Sequence, residues 1–461
     1  MVYLLVLACT PGPEDTASSP SVDPLSASWS SGFRDTSGRQ VLLRGVNARV
    51  EGLFDVTFDD GRVPLEEIPP FTGEDCRVLS EELGLNLLRL PINWSAIEPE
   101  PGAYQDAYLD EVVSLVDDCW AEGVYTVVDL HQDAWSKEIG EDGAPLWAII
   151  PAPTELLEGP LSAEELASRR ASPAVLAAFY SFFDNVDDLQ DAYADMAAVV
   201  AARISSSPGV AGLELMNEPL ALNEDKLADF HERVSARVRE VTPSMTLFFE
   251  PDAARNFTDQ APTNRLFPFD DAVYAPHIYT DVFTDGWADR DIDGLVASIE
   301  AANAEAQAHS APAFVGEFGN DPDTETGQLY ITTSLDAYDA TQMSWAFWVY
   351  EEWGQGQWGL YTTGEGESRG ALRGDLADIL SRPYPQAIAG DLAGFSWDGA
   401  TSTLTIALEN ASDGRHRISA SPRIWPGGVL AQCDGSAVDV SAGSGWVEVN
   451  CSGSSIVLQG Q

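Results

Sequence analysis

The chain has 461 residues, with 74 Asp and Glu against 24 Lys and Arg, and its formal net charge at pH 7 is −50. Such a length fits a barrel of several hundred residues together with a smaller module. The charge excludes nucleic acid and other anionic surfaces as partners, and we expect an acidic monomer.

The amino terminus, residues 1–28, combines an apolar run with a polar linker. In M-V-Y-L-L-V-L-A-C-T the apolar run precedes Cys9, and a stretch rich in Pro, Ser and Asp follows up to Ser28. This order resembles the end of a bacterial lipoprotein signal, with Cys9 as the lipid-bearing residue. We therefore expect an extracytoplasmic protein, secreted or anchored through Cys9. Because no Lys or Arg precedes the run, a segment that is not a signal is the alternative.

Residues 29–388 alternate short apolar runs with longer amphipathic stretches. The runs begin at Val41, Leu87, Tyr125, Gly212, Met245, Ala272, Ala313 and Ser344. The stretches Asp106 to Glu122 and Lys226 to Val241 have apolar residues three and four apart, which predicts helices that pack on one side. Eight buried strands that alternate with helical crossovers indicate an α/β fold, the (β/α)8 or TIM barrel.

A segment at about 134–183 is too long for an ordinary crossover and predicts a lid over the barrel. It contains G-A-P-L-W-A-I-I-P, whose large apolar side chains are Leu146, Trp147, Ile149 and Ile150. Two interpretations stay open for these side chains. They line an apolar groove at the pocket mouth, or they belong to a small core of the lid itself.

Residues 389–461 change to an alternation of period two, as in T-S-T-L-T-I-A-L-E-N, with turns of Gly, Asp and Ser. This pattern predicts a small antiparallel β-sandwich. Cys433 and Cys451 within it are candidates for a disulfide, with a pair of free thiols as the alternative. Cys76 and Cys119 fall on two helical segments and are weaker candidates for a second bridge. Because no Cys-x-x-Cys or His-x-x-x-His spacing occurs, we predict no metal and no cofactor.

Polar and aromatic side chains stand near the ends of the apolar runs. The ones that we single out are Arg89, His131, Asp133, Asn217, Glu218, His277, Tyr279, Glu317 and Trp348. In a barrel of this kind the carboxyl ends of the strands converge on one pocket, so these side chains predict a functional site there. His131 and His277 can bind sugar hydroxyls or carboxyl groups at such a place, and a purely structural role is the alternative.

Glu218 and Glu317 are the most informative of these residues. Each ends a buried apolar run, where a carboxylate is costly unless something holds it. For either one alone, a salt bridge or a helix-cap contact is the alternative explanation. In a retaining glycosidase one carboxyl group protonates the leaving oxygen and the other attacks the anomeric carbon, at a separation of about 5 to 5.5 Å. On the facing fourth and seventh strands, the two glutamates suit that chemistry.

Four further side chains fit the surroundings of such a pair. We expect Arg89 and Tyr279 to keep Glu317 ionised, because a cation and a hydrogen-bond donor favour the charged form of a carboxylate. Asn217 is expected to donate to the 2-hydroxyl of the sugar. Trp348 offers a flat face for the sugar ring, with Trp345 as the alternative.

This constellation resembles glycoside hydrolase family 5, in the clan that carries the acid/base and the nucleophile on strands four and seven. The matching positions, which spread over almost the entire barrel, are Arg89, His131, Asn217, Glu218, His277, Tyr279, Glu317 and Trp348. The resemblance implies a retaining mechanism, with Glu218 as the acid/base and Glu317 as the nucleophile.

Within the family, the chain resembles the endoglycoceramidases, which release the intact oligosaccharide from the ceramide of glycosphingolipids. The similarity rests on H-Q-D at His131 to Asp133, G-A-P-L-W-A at Gly143 to Ala148, M-N-E-P, A-P-H-I-Y and the trailing β-sandwich. It implies that Asp133 contacts the glycan and that the lid helps to form an apolar channel for the lipid. The chain departs from the resemblance where Arg49 stands after the first strand in place of a lysine, which leaves the preferred headgroup open.

The leading interpretation is an exported endo-β-glycosidase of glycolipids, which would meet membranes through its substrate or its lipid anchor. A family 5 β-glucosidase or endoglucanase acting on soluble β-glycosides is the first alternative, and an open polar cleft would favour it. A non-catalytic carbohydrate-binding barrel is the second. The presence of both carboxylates together with Arg89, Asn217 and Tyr279 argues against it.

Overall fold

The computed structural model describes most of the chain. The described residues are 22–28, 32–55, 57–283, 291–354, 358–411 and 414–461. Cys9 and nearly all of the predicted signal and linker lie outside these residues, so lipid attachment stays a prediction.

Eight parallel strands form a barrel and confirm the predicted fold. They are Arg44–Asn47, Leu87–Asn93, Tyr125–His131, Val210–Glu214, Leu247–Phe249, Ala272–Tyr274, Phe314–Phe318 and Ser344–Phe347. Neighbouring strands pair in chain order, and the eighth pairs with the first. Isolated parallel bridges, Tyr274 with Ala313 and Ile278 with Phe318, connect the sixth strand region to the seventh. The barrel is therefore nearly closed, and its strand ends gather at one rim.

Helices cover the outer face of the barrel. Their bounds are Gly73–Arg77, Trp94–Ile97, Asp106–Ala121, Ala163–Arg169, Pro173–Phe183, Leu189–Ile204, Glu224–Val241, Arg255–Thr258, Ile292–His309, Glu325–Thr341 and Gly374–Leu380, with a π-helical turn at Val78–Glu82 and 3-10 turns at Leu146–Ala148 and Val186–Asp188. The helices predicted from Asp106 and from Lys226 are both confirmed, with ends that differ by one or two residues. In the first of them Leu109, Val112 and Val116 are buried, because their spacing places them on one helix face.

Three short strands at the amino terminus close the end of the barrel where its strands begin. They are Leu25–Ser28, Gly32–Asp35 and Gln40–Val41, and the first of them lies inside the stretch that the sequence suggested as a linker. The Phe33 ring stacks on Phe248 with 6.0 Å between the centroids. Leu87 and Phe314 belong to the same apolar cluster, which fills this end. A pocket inside the barrel therefore opens at the opposite rim.

The carboxyl-terminal region forms two antiparallel sheets, as the period-two alternation predicted. One sheet contains, in spatial order, Asp391–Asp398, Thr403–Glu409, Ser455–Gly460, Val429–Cys433 and Ser436–Val438. The other continues from the three amino-terminal strands through Pro385–Ile388, Arg415–Ser419, Trp446–Asn450 and Val440–Ala442. A separate hairpin pairs Tyr361–Thr363 with Arg369–Leu372. That the strands between residues 25 and 41 share one sheet with strands of the carboxyl-terminal region was not predicted.

Two disulfides confirm both candidate cysteine pairs. Cys76–Cys119 joins two neighbouring helices, and Cys433–Cys451 lies in the sandwich region. A cross-link of this kind restricts the unfolded chain and typically stabilises the folded state by about 2–4 kcal/mol.

The lid at 134–183 has its own aromatic core. Trp135 packs on Phe179 and Phe182, with ring centroids 5.3 and 4.9 Å away. Phe182 in turn packs on Phe230 of the helix Glu224–Val241, at 5.5 Å. These contacts fasten the lid to the outside of the barrel.

The four apolar side chains of G-A-P-L-W-A-I-I-P do not form one surface. Trp147 packs edge-on against Trp94 at 5.1 Å, and Ile149 is buried. Ile150 packs against the same core cluster, whereas Leu146 is 45% exposed. The contacts therefore disfavour a groove built from these side chains, and they also differ from a separate small core of the lid, because Trp147, Ile149 and Ile150 pack against the main core cluster.

Candidate active site

Alternation along the strands brings polar side chains into the barrel, above the apolar cluster that fills its closed end. Leu87 and Val127 belong to the cluster at the closed end. Arg89 and Asp129 follow two residues later on the same strands, so they face the interior as well. All four side chains are fully buried. A layer of ionisable groups therefore separates this apolar cluster from the open rim of the barrel.

Arg89 is the centre of this layer. Its guanidinium donates to Glu317 Oε1 at 2.8 Å and to Glu214 Oε2 at 2.6 Å. It also donates to the amide oxygens of Asn47 and Asn217, each at 2.9 Å. Arg89 thus fixes side chains that come from the first, fourth and seventh strand regions.

Two more carboxyl groups approach Arg89. Asp129 Oδ2 lies 3.1 Å and Glu250 Oε1 lies 3.4 Å from its Nη2. Burial raises the pKa of Glu214 and of Glu250, neighbouring carboxylates add to the effect, and Arg89 opposes it. The sequence analysis missed Asp129 and Glu214. The sequence did contain a signal for both, because each is an ionisable residue inside an otherwise apolar buried strand.

Glu218 and Glu317 approach each other at the open end of the barrel. One oxygen of each carboxyl group lies within 4.8 Å of the other, with His277 between them. Nδ1 of His277 is 2.9 Å from Glu218 Oε1 and 3.6 Å from Glu317 Oε2. Tyr279 donates its hydroxyl to the same oxygen of Glu317 at 3.0 Å. The separation is comparable with the roughly 5 to 5.5 Å of retaining glycosidases.

Glu218 is held from several sides. Its backbone has a left-handed φ of +40°, which residues other than glycine seldom adopt, and its N–H donates to Glu250 Oε2 at 3.1 Å. Its Oε1 accepts from Asn256 Nδ2 at 2.7 Å. Burial raises the pKa of the Glu218 carboxyl, but His277 and Arg170 outweigh burial and the net pKa is lowered. Asn256 was not predicted, because it lies in an irregular crossover and not at a strand end.

Gly316 leaves room for the imidazole and the guanidinium. A Cβ at this position would lie 2.9 Å from His277 Nε2 and 3.5 Å from Arg89 Nε. His277 is buried; burial lowers the pKa of its imidazole, but Glu317 and Glu218 raise it further than burial lowers it. The glycine before Glu317 therefore permits close packing under the carboxylate pair.

His131, Asp133 and Trp348 form the neighbouring wall of the pocket. The Trp348 ring stacks on His131, with 5.9 Å between centroids and 11° between planes. His131 Nδ1 lies 2.6 Å from Asp129 Oδ2, and its Nε2 lies 3.7 Å from Asp133 Oδ2. Burial by itself raises the pKa of Asp133, but Arg170 and His131 lower it to about 2. The Asp133 carboxyl is therefore ionised at neutral pH.

Trp345, the alternative to Trp348, is fully buried in the barrel wall. Its ring packs on Phe318 at 5.6 Å, and the guanidinium of Arg44 lies 5.6 Å from the ring centroid. Trp348 is partly exposed. Of the two tryptophans, Trp348 has the surface that a sugar ring would need.

The lid contributes Arg170, which the sequence analysis did not single out. Its guanidinium lies 3.0 Å from Asp133 Oδ2 and 3.9 Å from Glu218 Oε2. A third contact reaches Glu141 Oε2 at 3.3 Å. Arg170 is 44% exposed at the side chain, so it links the lid to the pocket from the solvent side. Arg170 directly follows Arg169, and such a pair of arginines has the pattern of an ordinary surface charge, so its role was not visible in the sequence.

Arg49, the residue that departs from the family resemblance, is buried beside the pocket. Its Nη1 lies 2.6 Å from Glu66 Oε1, and its Nη2 lies 3.7 Å from Glu352 Oε2. The guanidinium also lies 5.5 Å from the ring centroid of Phe54. Through these contacts Arg49 connects the loop that follows the first strand with the loop that follows the eighth strand.

Among the residues that the structure describes, three clusters of His and carboxylate side chains have ligand atoms within 4.8 Å of one another. They are His131 with Asp133 and Asp142, Glu214 with Glu250 and His277, and Glu218 with His277 and Glu317. A metal needs a neutral imidazole. Although burial lowers the pKa of His131 and of His277, their carboxylate neighbours raise it by more. A raised pKa of the two imidazoles works against metal binding, and the absence of a metal or cofactor stays a prediction.

Arg89→Met would leave four buried carboxyl groups without their shared cation. We expect it to lower the free energy of unfolding by about 3–5 kcal/mol at pH 7, as loss of one partner from a buried ion pair does. Urea unfolding followed by circular dichroism measures the change. Arg233→Met is the matched control, because Arg233 pairs with Asp191 at the exposed surface, where such a pair contributes about 1 kcal/mol or less. Equal losses in the two variants would contradict the central role of Arg89.

Known proteins resemble this chain over most of its length. Residues 61–353 match the family model for cellulase, glycosyl hydrolase family 5. Endoglycoceramidase I of Rhodococcus hoagii (strain 103S) is 26% identical over 449 residues, which cover 91% of this chain and 84% of that protein. An endoglycoceramidase of Cyanea nozakii is 26% identical over 382 residues, which cover 75% of this chain and 74% of the relative.

Solved structures share the same fold. Endo-glycoceramidase II from Rhodococcus sp., as a lactosyl-enzyme intermediate, has a TM-score of 0.76 at 24% identity, with 93% of this chain and 99% of that chain covered. An endogalactoceramidase also has a TM-score of 0.76 at 24% identity, with 95% and 100% covered. Because the family model spans most of the barrel and both glutamates of the pair, the chain belongs to glycosyl hydrolase family 5.

Proposed function

We propose that this protein is a retaining endo-β-glycosidase that hydrolyses the bond between the oligosaccharide and the ceramide of glycosphingolipids. The observation that carries the proposal is the approach of Glu218 and Glu317 within 4.8 Å at the open end of the barrel. The similarity to an endoglycoceramidase over 84% of that relative's length supports a glycolipid as the substrate.

Glu317 is the nucleophile in this proposal and attacks the anomeric carbon to form a covalent glycosyl-enzyme. Arg89 and Tyr279 donate to its two oxygens at 2.8 and 3.0 Å. These donors hold the carboxylate in one orientation for attack. The lactosyl-enzyme intermediate of the related endo-glycoceramidase II agrees with such a covalent step.

Glu218 is the acid/base and gives a proton to the ceramide oxygen as the glycosidic bond breaks. The proton is shared with His277, whose Nδ1 lies 2.9 Å from the Glu218 carboxyl. Once Glu317 is bound to the sugar as an ester, its negative charge is gone, and loss of a like charge lowers the pKa of Glu218. Glu218 then takes a proton from water, which attacks the glycosyl-enzyme and releases the oligosaccharide.

The glycan lies along the wall of His131, Asp133 and Trp348 in this proposal. The Trp348 ring faces the sugar, and the ionised Asp133 accepts from its hydroxyls. Asn217 donates one amide hydrogen to the carbonyl of Gln132 at 3.0 Å. Its second amide hydrogen serves the 2-hydroxyl of the sugar.

A soluble β-glycoside is the second candidate substrate. The family model that matches the chain is that of a cellulase. The lid residues Trp147, Ile149 and Ile150 pack into the core and leave Leu146 as the exposed member of the set. These lid residues therefore do not form an apolar channel for the lipid. A glycolipid substrate would have to place its lipid against another part of the surface.

We further propose that the protein is extracytoplasmic, secreted or held by a lipid on Cys9. The disulfides Cys76–Cys119 and Cys433–Cys451 support an oxidising compartment. None of the helices in the described part of the chain combines the length and the apolar composition that a bilayer crossing requires. Membrane contact in this proposal comes from the glycolipid or from the lipid on Cys9.

Exchange of the two glutamates tests their roles. Glu317→Gln removes the nucleophile, so we expect turnover of every substrate to fall by about 10⁴-fold or more. Glu218→Gln removes the proton donor, so we expect a loss of about 10²–10⁴-fold on the glycolipid and a much smaller loss of the first step on a nitrophenyl glycoside, which needs no protonation to leave. Stopped-flow and steady-state assays measure both steps. Glu240→Gln at the surface is the control, and full activity of either site variant on glycolipid would remove that residue from its role.

Arg170→Gln tests the charge that the lid places beside Glu218. Arg170 lowers the pKa of Glu218, so its removal raises that pKa, and the acid stays protonated to a higher pH. We expect the alkaline limb of kcat/KM to move up by roughly half to one pH unit, the shift that about 1 kcal/mol of charge interaction produces. Arg169→Gln removes the same charge one residue away and is the control. An unmoved limb, or a move to lower pH, would contradict this electrostatic role.

A panel of three substrates tests the proposed reaction. We expect hydrolysis of a lyso-ganglioside and of a glucosylceramide, with intact glycan and the lipid as the products identified by mass spectrometry. A soluble cellooligosaccharide is the third substrate, and Glu317→Gln protein is the negative control. Cleavage of the cellooligosaccharide alone would show that the glycolipid proposal is wrong and that the second candidate is right.

A further inference from the structure

Glu250 is a buried carboxyl group beside the proposed acid/base. It directly follows the fifth strand, Leu247–Phe249, and only 3% of its surface is exposed. A carboxyl group at such a depth is costly unless other groups of the protein bond to it. Its two oxygens face two different parts of the machinery around Glu218, and each oxygen is considered in turn.

The first oxygen of Glu250 holds the backbone of Glu218. Glu250 Oε2 accepts a hydrogen bond from the Glu218 N–H at 3.1 Å. The φ of Glu218 is +40°, in the left-handed region that residues other than glycine seldom adopt. Such a conformation persists only where the surroundings enforce it. Glu250 therefore helps to keep Glu218 in its place.

The second oxygen of Glu250 faces the imidazole that contacts Glu218. Glu250 Oε1 lies 3.4 Å from His277 Nε2, while Nδ1 of the same ring lies 2.9 Å from Glu218 Oε1. Nε2 is buried, and within the described part of the chain no group completes a hydrogen bond to it. Hydrogen bonds of a catalytic site are often long without substrate and tighten when it binds. Glu250, His277 and Glu218 thus form one continuous line.

The charges around Glu250 favour a proton at its end of this line. Burial raises the pKa of Glu250, the carboxyl groups of Glu214, Glu218 and Asp129 raise it further, and Arg89 opposes them without reversing the rise. The pKa of Glu218 is lowered instead. A proton on this line therefore resides on Glu250, whereas breaking the glycosidic bond requires it on Glu218.

His277 is suited to carry the proton between the two carboxyl groups. Its Nδ1 also lies 3.6 Å from Glu317 Oε2, and the Tyr279 ring packs edge-on at 6.4 Å. Glu317 and Glu218 raise the pKa of the imidazole by more than burial and Arg89 lower it. An imidazole can accept a proton on one nitrogen and release another from the opposite nitrogen.

We propose that Glu250 stores the proton that Glu218 delivers, and that His277 carries it between them. The inference rests on the proposed function and adds a positioning residue to it, because Glu250 acts through His277. As the glycosidic bond breaks, Glu250 Oε1 gives its proton to His277 Nε2, and His277 Nδ1 gives its own proton to Glu218. The Glu218 carboxyl protonates the leaving oxygen, and Glu250 becomes the carboxylate.

The second half of the reaction restores the starting state. Water attacks the glycosyl-enzyme, its oxygen bonds to the anomeric carbon, and the ester bond to Glu317 breaks. The proton that the water loses goes to Glu218 Oε1, and the reverse transfers return a proton through His277 to Glu250. No proton is gained or lost by the three groups over one turnover.

Glu250→Gln tests the proposal, because glutamine keeps the size and an acceptor for the Glu218 N–H but has no proton to transfer. Two substrates with one glycan are compared, one linked to ceramide in mixed micelles and one to dinitrophenol, which leaves without a proton. We expect the ratio of kcat/KM values, ceramide over dinitrophenol, to fall by about tenfold or more. Glu305→Gln, which changes a buried carboxyl paired with Arg255, is the control and should leave this ratio unchanged.

The pH profile gives a readout that a purely structural role would not move. A group with a raised pKa keeps its proton to a higher pH, so loss of Glu250 should remove the acid earlier as the pH rises. We expect the alkaline limb of kcat/KM on the ceramide substrate to move down by about one pH unit in Glu250→Gln. Equal losses on both substrates with an unmoved limb would show that Glu250 only holds the backbone of Glu218, and the inference would be wrong.

Glu250→Asp keeps the test decisive if the glutamine variant does not fold, as thermal unfolding will show. Aspartate keeps the charge, but its shorter side chain does not reach His277 and the Glu218 N–H together. We expect the same ratio to fall severalfold, and such a fall separates the proton transfer from a purely electrostatic effect. If the ratio in the folded Glu250 variants matches that of Glu305→Gln, the inference is wrong and the proposed function stands.

A failure of the proposed function has a different signature. If the unchanged protein cleaves the dinitrophenyl substrate and no ceramide glycoside, the proposed lipid substrate is wrong. A cellooligosaccharide, whose leaving group also needs a proton, then replaces the ceramide substrate in the ratio. A fall of that ratio in the Glu250 variants would support the inference, and an unchanged ratio would overturn it.

Discussion

The guanidinium of Arg89 is the constraint on which the site depends. One fully buried cation contacts four carboxyl groups and two side-chain amides that come from distant parts of the chain. Buried charges are tolerated when they are paired and hydrogen-bonded, so these partners need Arg89 as much as it needs them. Because Glu317 and Asn217 are among the partners, the interaction that makes the charged layer stable also orients the proposed nucleophile and its neighbour.

An excess of carboxyl groups over cations determines where protons reside in this layer. Burial and Glu214 raise the pKa of Glu250, whereas His277 lowers that of Glu218 in spite of burial. The two glutamates are nevertheless in contact, since the Glu218 N–H donates to Glu250. Neighbouring carboxyl groups whose environments move their pKa values apart are the usual basis for separate acid and base roles. His277 contacts Glu218 and Glu317 together, and so couples the proposed acid/base to the nucleophile.

The segments between the strands determine the shape and the charge of the pocket. The amino-terminal strands close one end with Phe33, and the lid brings Arg170 to the rim beside Asp133. The fifth crossover lacks a long helix and leaves a cavity on the flank. In barrels of this class the strand ends carry the chemistry and the loops carry the specificity. The lid crossover therefore sets the charge beside the proposed acid/base, because Arg170 lies 3.9 Å from Glu218 Oε2.

The sequence by itself determined the barrel, the carboxyl-terminal sheets and most of the strand-end residues, because periodicity records which face of each element is buried. Asp129 and Glu214 were within its reach, since each interrupts an apolar strand. Arg170 and Asn256 were not, because each lies in a crossover without a periodic pattern and meets Glu218 only after folding. Tertiary structure alone likewise decided the sheet that residues 25–41 share with the carboxyl-terminal region, the burial of the lid residues and the cavity beside the fifth strand. Contacts between segments far apart in the chain leave no local signal in either segment.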